Sequence, residues 1–357
     1  MDQAATRRKV LSGGLAIAAS LPAFRANATW GAEWQDSYLA LVHPELRAAA
    51  SRLLSMEAKQ PPLSAGMLPA HRKGSEAYSR TPSEDISWKQ VRVPNLEGGP
   101  DVTVYVVNAQ GAKMRPAILH THGGGFVMGS AKSSIHDLQE LCRTLDCVAV
   151  SVEYRLAPET TYTGSIIDNY TGLKWLHDNA QALGVDPKRI ALLGESAGGG
   201  HAAALAIAAR DRGEVPVAFQ CLVYPMLDDR TGSTRQVPQH VGRLIWTAQS
   251  NRFGWSSFLG MAAGGKATPA RAAPARFADL SGLPPAFIGV GSLDLFHDED
   301  VDYAQRLNAA ATSTELVVVP GAFHGFDNPA FKAGVSRRFT EAKLNALRRG
   351  LGITAAP

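Results

Sequence analysis

The fold is decided by the stretch Leu193-Gly194-Glu195-Ser196-Ala197-Gly198-Gly199-Gly200, which carries the pattern G-x-S-x-G. An apolar run at 189–193 leads into it, and an alanine-rich run suited to a helix follows. This order predicts a strand, a sharp turn and a helix, with Ser196 in a strained backbone conformation at the turn. Because a serine hydroxyl is a weak nucleophile until a base accepts its proton, we expect a base, an acid and oxyanion donors elsewhere in the chain.

A second glycine-rich stretch, His122-Gly123-Gly124-Gly125-Phe126, follows a short apolar strand predicted at 117–120. Glycines let the backbone approach a ligand closely and aim successive N–H groups at one point. Such groups, with the amide that follows the nucleophile, bind the negative oxygen of a tetrahedral intermediate. We therefore assign the oxyanion hole to the N–H groups of Gly124, Gly125 and Ala197, with Gly123 as the alternative first donor.

A carboxylate and a histidine follow Ser196 along the chain, each just after a predicted strand. Asp294 follows an apolar run at 285–291, and His324 lies in the loop after another at 316–319. The order Ser196, Asp294, His324 is the one expected of an α/β-hydrolase catalytic triad. Asp298 is the alternative acid. His297 is the competing base, but it follows Asp294 too closely to bond that carboxylate well.

The remaining titratable residues near these motifs are predicted to be structural. We expect His122 to organise its loop by bonding the backbone and His201 to pack within a helix. Three carboxylates are expected to pair with Arg155 or with backbone amides: Glu153, Glu159 and Asp168. The acidic first turn of the next helix is expected to consist of Asp298, Glu299 and Asp300, because the helix dipole favours negative charge there.

The motifs together resemble the hormone-sensitive-lipase family of α/β-hydrolase carboxylesterases. Three further runs carry this resemblance: Tyr154-Arg155-Leu156-Ala157-Pro158-Glu159, Tyr224-Pro225-Met226-Leu227-Asp228-Asp229 and Phe323-His324-Gly325-Phe326. It extends from about residue 91 to the C-terminus, with a weaker match at 43–47. Two departures are Glu195, where many members have Asp, and residues 160–165, where members usually have a proline-containing apolar run.

The resemblance implies an α/β-hydrolase fold with a helical cap and hydrolysis of short- to medium-chain acyl esters. Hydrolysis through this triad needs no cofactor, and no sequence motif indicates a metal. The resemblance also suggests a homodimer through an edge strand. Phe126 and Phe323, which adjoin the oxyanion loop and the predicted base, are assigned to substrate binding. The same triad also serves amide, lactone or aryl-ester hydrolysis, and a non-catalytic ligand-binding protein can share the scaffold. The presence of His324 argues against that last alternative.

The N-terminal residues have the pattern of an export signal. A basic cluster, Arg7-Arg8-Lys9, precedes an apolar stretch at 10–24, and Ala26-Asn27-Ala28 matches a signal-peptidase site. The arginine pair followed by Val10 and Leu11 predicts a twin-arginine signal peptide at 1–28 of a bacterial protein, periplasmic or secreted. The stretch is too short for a membrane span. An ordinary signal peptide, or a basic tail before a helix, is the alternative.

Composition excludes several other classes of protein. The formal net charge of +4 comes mostly from the predicted signal, which carries four basic residues and one acidic residue, so residues 29–357 carry about +1. No basic stripe indicates a nucleic-acid partner. No motif for metal or phosphate binding is present. The three cysteines are no disulfide framework; Cys142 and Cys147 can pair, but small buried hydrophobes are the favoured interpretation.

The distribution of apolar runs predicts the architecture. Two alternating strands near 91–107 predict an antiparallel hairpin, and six continuous apolar runs after them predict a parallel sheet buried on both faces. Helical segments lie between these runs, and this alternation predicts a mostly parallel, doubly wound α/β sheet. We assign 29–85 to an N-terminal helical cap segment and 86–357 to the catalytic domain, with a cap insertion at about 229–280. Four tryptophans lie in these cap segments and either anchor them or line a substrate pocket: Trp30, Trp34, Trp246 and Trp255.

Overall fold

The computed structural model describes residues 32–57, 61–77, 79–111 and 113–354. Its strands are β1 (Trp88–Val93), β2 (Val102–Val107), β3 (Arg115–Thr121), β4 (Val148–Glu153), β5 (Val185–Glu195), β6 (Phe219–Val223), β7 (Ala286–Gly291) and β8 (Thr314–Val319). Its α-helices are α1 (Ala32–Leu41), α2 (Arg47–Glu57), α3 (Leu68–Ala77), α4 (Ile135–Leu145), α5 (Tyr162–Asp178), α6 (Ala180–Leu183), α7 (Ala197–Arg212), α8 (Ala248–Leu259), α9 (His297–Ala309) and α10 (Gly334–Gly350). Short 3-10 helices occur at Pro44–Leu46, Ala65–Met67, Lys132–Ser134, Ala270–Ala272 and Pro274–Arg276.

The strands form one sheet in the order β1-β2-β4-β3-β5-β6-β7-β8. β2 pairs antiparallel with β1 and with β4, and every other neighbouring pair is parallel. The predicted mostly parallel, doubly wound α/β sheet and its antiparallel hairpin are therefore confirmed. β5 begins at Val185, earlier than predicted, because its first residue still pairs with Arg115 of β3 across an irregularity in the register.

Helices cover both faces of the sheet. α5, α7 and α9 pack on one face, and their apolar side chains share a cluster with Leu119 and Leu192 of the central strands. α4 and α10 pack on the opposite face around Ile118 and Ala191. All seven residues of β3 are buried, which explains why the central strands read as continuous apolar runs instead of alternating ones.

The parallel strands bring the predicted site residues to one edge of the sheet. Ser196 follows β5, the glycine-rich loop follows β3, Asp294 follows β7 and His324 follows β8. The carboxyl ends of parallel strands meet at the same edge, which is where open α/β sheets bind their ligands. Four segments far apart in the sequence are thereby brought together.

The two predicted cap segments contact each other. The backbone N–H of Ile245 donates to Glu57 Oε1 at 2.6 Å, and the Arg243 guanidinium lies 5.5 Å from the ring centroid of Trp34. Leu68 of α3 shares an apolar cluster with Trp255 of α8. The predicted signal peptide at 1–28 and Trp30 lie outside the described residues.

The described residues also bear on cysteine pairing and on the membrane. Cys142, Cys147 and Cys221 are free thiols, and all three are buried. The first two therefore do not form the disulfide that the sequence allowed, and the favoured interpretation as buried hydrophobes agrees with the structure. In the described ranges, no helix has the length and apolar character needed to cross a membrane.

Candidate active site

Ser196 lies at a sharp turn between β5 and α7, as its sequence context predicts. Its φ of 58° and ψ of −123° are unusual for a residue other than glycine. The Ser196 N–H donates to the carbonyl of Val223 at 2.9 Å, and its own carbonyl accepts from the N–H of Met226 at 2.9 Å. The turn is also tightly packed, since a Cβ on Gly198 would lie 2.0 Å from the Thr121 carbonyl oxygen. Strand pairing and close packing thus hold the strained conformation.

The predicted triad residues are joined by two short hydrogen bonds. His324 Nε2 lies 2.9 Å from Ser196 Oγ, and His324 Nδ1 lies 2.9 Å from Asp294 Oδ2. Because a carboxylate oxygen only accepts, Nδ1 carries the proton and Nε2 is free to accept the serine hydroxyl proton. Asp294 Oδ1 accepts from the backbone N–H of Phe296 at 2.9 Å, which fixes the orientation of the carboxylate.

The three side chains lie in a largely apolar setting. Ser196 is 8 % exposed, His324 is 4 % exposed and Asp294 is fully buried. The ring of Tyr224 lies 4.8 Å from the imidazole centroid, and that of Phe296 lies 5.1 Å from it, both edge to face. Hydrogen bonds between polar groups are stronger in such a low-dielectric environment than in water. The aromatic rings also restrict the imidazole to one orientation.

The glycine-rich loop at residues 122–126, which is predicted to form the oxyanion hole and is called the oxyanion loop below, follows β3 and is shaped by glycines. Gly124 has a φ of +126° and Gly125 one of +60°. A Cβ on Gly124 would lie 2.1 Å from the Met128 carbonyl oxygen, so no side chain fits there. In the described part of the chain, the N–H groups of Gly124 and Gly125 donate to no other backbone group outside helices and strands. The same is true of Ala197, the first residue of α7, because the first N–H groups of a helix have no partner within it.

Two residues of the run at 154–159 hold the oxyanion loop in place. The Tyr154 hydroxyl donates to the carbonyl of His122 at 2.7 Å, and the Ala157 N–H donates to the carbonyl of Phe126 at 2.9 Å. Arg72 of α3 adds a contact from the N-terminal segment, since its Nε donates to the Val127 carbonyl at 2.8 Å. Sequence reasoning found the run at 154–159 as a family signature but missed this role.

Trp246 supports the same loop from the other cap segment. A Cβ on Gly125 would lie 2.0 Å from the Trp246 ring, so the indole packs directly against the glycine. The indole N–H donates to Asn251 Oδ1 at 3.0 Å, and the Asn251 amide donates to the Thr231 carbonyl at 2.8 Å. No local motif indicated this contact, which joins residues more than 100 positions apart.

The alternative acid and base lie away from Ser196. His297 Nδ1 is 2.7 Å from Asp298 Oδ1, and the Asp298 side chain is 71 % exposed. This pair is therefore a surface contact. Glu299 and Asp300 lie in the first turn of α9 as predicted, but both are buried. Burial raises the pKa of each well above its usual value, so these two carboxyls are not the dipole-stabilised charges that the sequence suggested.

The other predicted structural residues are buried or bonded within the fold. His122 Nδ1 bonds the Gly123 carbonyl at 2.9 Å, and burial lowers the pKa of His122 to about 4. His201 is buried among aromatic rings, which lowers its pKa to about 3. Both imidazoles are therefore neutral at neutral pH, and neither lies in the triad.

Two of the three predicted carboxylate pairings agree with the structure. Asp168 pairs with Arg155 at 2.8 Å, and Glu153 accepts from the backbone N–H of Ala131 at 3.1 Å. Glu159 instead pairs with Arg72 at 2.8 Å. That pairing was not predicted because Arg72 lies 87 residues earlier in the chain, on a helix with no motif of its own.

Phe126 and Phe323, assigned to substrate binding, are both buried. The Phe126 ring stacks on Phe258 at 4.0 Å between ring centroids, in a cluster with Trp255. Trp255 is fully buried there, so it anchors the cap segment. A contact between substrate and either phenylalanine stays a prediction, since both rings pack inside the protein.

Among the residues that the structure describes, no group of three or more His, Cys, Asp or Glu side chains is arranged to hold a metal ion. Ser196 Oγ bonds an imidazole whose other nitrogen bonds a carboxylate. The N–H groups of Gly124, Gly125 and Ala197 have no backbone partner outside helices and strands in the described part of the chain. This arrangement defines a serine hydrolase site, in which a hydroxyl attacks an electrophilic carbonyl.

Comparisons with known proteins agree with this class. A family model described as alpha/beta hydrolase fold matches residues 118–328. Carboxylesterase NlhH of Mycobacterium tuberculosis is 37 % identical over 252 residues, which cover 66 % of this chain and 74 % of that protein. Among solved structures, a bacterial heroin esterase is 38 % identical with a TM-score of 0.79, covering 88 % of this chain and 99 % of the other. Esterase LipW from Mycobacterium marinum is 32 % identical with a TM-score of 0.76, covering 87 % and 96 %.

These matches extend over most of the chain and include the regions that hold Ser196, Asp294 and His324. The chain belongs to the α/β-hydrolase-fold family, and its relatives support the resemblance to the hormone-sensitive-lipase group. It is an ester-hydrolysing enzyme of the serine carboxylic-ester hydrolase class.

Proposed function

We propose that this enzyme hydrolyses short- to medium-chain acyl esters with Ser196 as nucleophile, His324 as general base and acid, and Asp294 as the acid that orients the histidine. The observation that carries this proposal is the continuous pair of 2.9 Å bonds from Ser196 Oγ through the imidazole to Asp294. The names of the relatives, a carboxylesterase and two esterases, support the ester as the bond that is cleaved.

Acylation follows from the positions of these atoms. His324 Nε2 accepts the hydroxyl proton while Ser196 Oγ bonds to the ester carbonyl carbon. The negative charge that develops on the carbonyl oxygen is stabilised by the N–H groups of Gly124, Gly125 and Ala197. The tetrahedral intermediate then collapses, the imidazolium returns its proton to the departing alkoxide, and the alcohol leaves an acyl group on Ser196.

Deacylation repeats these steps with water. His324 accepts a proton from the water as its oxygen attacks the acyl carbon, and the same amides bind the second oxyanion. The proton then passes to Ser196 Oγ, which frees the serine and releases the carboxylic acid. Asp294 accepts the Nδ1–H bond throughout and stabilises the imidazolium that forms in each half-reaction.

The cap segments at 29–85 and 229–280 are proposed to limit the acyl chain to short and medium lengths. Their contacts with each other and with the oxyanion loop support this assignment, through Glu57, Arg72 and Trp246. Amide, lactone and aryl-ester hydrolysis use the same catalytic atoms. Assays with substrates that carry different leaving groups therefore distinguish these reactions.

The test is hydrolysis of p-nitrophenyl esters of increasing acyl length by the wild type and by Ser196→Ala. We expect turnover of the short esters, a fall with acyl length, and no turnover by the alanine variant. Asp298→Asn, at an exposed carboxylate, is the matched control that keeps full activity. A folded wild type that hydrolyses none of these esters contradicts the proposal. Amides and lactones would then be the next substrates to test.

We also propose that residues 1–28 direct export through the twin-arginine route to the periplasm or outside the cell. The arginine pair at 7–8, the apolar stretch and the A-x-A site support this proposal. The test is fractionation of a bacterial host that expresses the wild type or the double variant Arg7→Lys, Arg8→Lys. Retention of only the lysine variant in the cytoplasm supports the proposal, and equal export of both contradicts it.

A homodimer through an edge strand is the remaining proposal. β8 ends the sheet on one side, so its outer backbone groups can pair with a second copy. Light scattering after size exclusion tests it, because a dimer has twice the 37.9 kDa mass of the chain. Pro in place of Val317, at the middle of β8, should release monomers if the strand forms the interface.

A further inference from the structure

A cavity lies between α5 and α7, apart from the triad. Its volume is about 290 Å³, and none of the triad or oxyanion residues lines it. Ala204 of α7 is part of its wall and lies eight residues after Ser196, so the cavity begins about 12 Å along the helix axis from the nucleophile. Its floor is apolar and is formed mainly by Ile166, Ile207, Ala204 and Ala208.

Two arginines line the mouth of this cavity, each over a tyrosine ring. The Arg212 guanidinium lies 4.3 Å from the ring centroid of Tyr170 and pairs with Glu97 at 3.3 Å. The Arg271 guanidinium lies 5.6 Å from the ring centroid of Tyr162 and donates to its hydroxyl at 3.4 Å. The tyrosines thus orient both guanidinium planes at the edge of an apolar floor.

Among the charged side chains that line the cavity, Arg271 is the one without an acidic partner in the described part of the chain. Four neighbours in the cap and in α9 lie within 4 Å of an aspartate: Arg230, Arg235, Arg276 and Arg306. No such ion pair joins Arg271 to a carboxylate among the described residues. The two carboxylates of the cavity wall are already paired, Glu97 with Arg212 and Asp211 with Arg210. Among the lining residues, the charge left without an ion pair is therefore the positive one of Arg271.

We propose that this cavity binds a medium-chain carboxylate anion, with its carboxylate on Arg271 and its alkyl chain on the apolar floor between α5 and α7. The planar guanidinium fork matches the geometry of a carboxylate, and the floor removes the alkyl chain from water. Such an anion is the acid product of a medium-chain ester. That identification rests on the proposed function, whereas the binding itself does not.

The cavity also contacts residues behind the oxyanion loop. Tyr162 of the cavity wall meets Phe258 at 6.2 Å between ring centroids, and Phe258 stacks on Phe126 at 4.0 Å. Phe126 follows Gly125 directly. The rings of Tyr162, Phe258 and Phe126 thus connect an acid bound in the cavity to the amides that are proposed to stabilise the oxyanion. Product binding should therefore be measured alongside activity.

The test is isothermal titration of octanoate into the Ser196→Ala protein, which cannot turn over an ester. We expect binding that Arg271→Gln weakens about tenfold or more, as loss of a charged hydrogen-bonded partner does. Ala208→Leu, which fills the floor, should weaken it similarly. Arg92→Gln is the matched control, because Arg92 is an exposed arginine on β1 that does not line the cavity, and it should leave binding unchanged. Octanoate binding that Arg271→Gln leaves unchanged would indicate that octanoate occupies the active site and not this cavity.

Head-group analogues complete the test. Octylammonium and 1-octanol should bind at least tenfold more weakly than octanoate at the Arg271-dependent site. The proposal is overturned if octanoate does not bind, if Arg271→Gln and Ala208→Leu leave its affinity unchanged, or if octylammonium binds as tightly. Ester hydrolysis by the wild type is measured separately, so an active esterase without Arg271-dependent binding refutes the cavity alone. Binding by a protein that cleaves no ester refutes the proposed function alone.

Discussion

The oxyanion loop and the Asp294–His324 pair are two halves of one site that are built differently. The loop offers backbone N–H groups, and its shape depends on the absence of side chains, since Met128 and Trp246 occupy the space where Cβ atoms would lie. The pair offers side-chain atoms from two loops, 30 residues apart, joined by a 2.9 Å bond. One half is therefore sensitive to added atoms, and the other is sensitive to lost charge and lost hydrogen bonds.

The largest expected effect comes from removing the base. His324→Ala should lower kcat roughly 10⁶-fold, because His324 Nε2 is the acceptor that the described structure places 2.9 Å from Ser196 Oγ. Steady-state kinetics on a p-nitrophenyl ester measure this loss, and circular dichroism checks that the variant folds. His297→Ala, at the competing base, should retain full activity. Comparable losses in both variants would mean that the two histidines act together, against the geometry.

Asp294→Asn tests the same half more gently. The amide preserves shape but favours the wrong imidazole tautomer, so kcat should fall about 10⁴-fold with little change in stability. Asp298→Asn is its matched control, since the exposed Asp298 side chain bonds His297 at the surface. A larger loss of kcat in Asp298→Asn than in Asp294→Asn would mean that the acid has been assigned to the wrong carboxylate.

Gly125→Ala tests the backbone half. The added methyl group would meet the Trp246 ring at 2.0 Å, so the loop must shift and its N–H groups must move away from the oxyanion. We expect kcat/KM to fall about 10²–10³-fold, the usual cost of one lost oxyanion donor.

The control for this variant is Gly213→Ala. Gly213 ends α7 with a φ of +65°, close to the +60° of Gly125, but a Cβ there meets nothing within 4 Å. Both alanines carry the same left-handed strain of about 1–2 kcal/mol, and only one displaces the oxyanion loop. Equal activity of the two variants would show that the contact between the new methyl group and Trp246 does not displace the oxyanion loop.

The two halves also differ in how they can be predicted from the sequence. The glycine-rich loop and the turn at Ser196 are local motifs, because the backbone conformation of neighbouring residues requires glycine at fixed spacings. Asp294 and His324 were found from chain order and from the strands that precede them. The fold followed from the continuous apolar runs, which a sheet buried on both faces requires.

The supporting contacts were not predictable in the same way. Trp246 against Gly125 and Arg72 against the Val127 carbonyl depend on how distant segments pack, and no short pattern encodes this. Asp300 is an example of a residue whose environment the sequence did not predict. Its place in the first turn of α9 was predicted correctly, but the face of that helix that packs inward depends on the rest of the fold. In the structure that face is buried.

The smallest expected effect concerns Asp300, which lies close to the charged half of the site but has no partner there. Both of its carboxyl oxygens are buried without a hydrogen bond in the described structure. Burial, then the charges of Glu299 and Asp294, raise the pKa of Asp300 well above its usual value. The folded protein therefore keeps this proton at pH values where the unfolded chain releases it, above about pH 4, and stability is lost as the pH rises.

Asp300→Asn removes this pH-dependent cost because the amide does not ionise. The Tm of the variant relative to the wild type should therefore rise between pH 4 and pH 8, by about 2–4 °C for each kcal/mol recovered. Thermal unfolding at several pH values measures the difference, and Asp298→Asn, at the exposed neighbour, should show no such trend. A difference that is constant or falls with pH means that Asp300 is ionised in the folded protein. Asp300 would then carry a buried charge without a hydrogen-bond partner in the described structure, unlike Asp294, which bonds His324 and the Phe296 N–H.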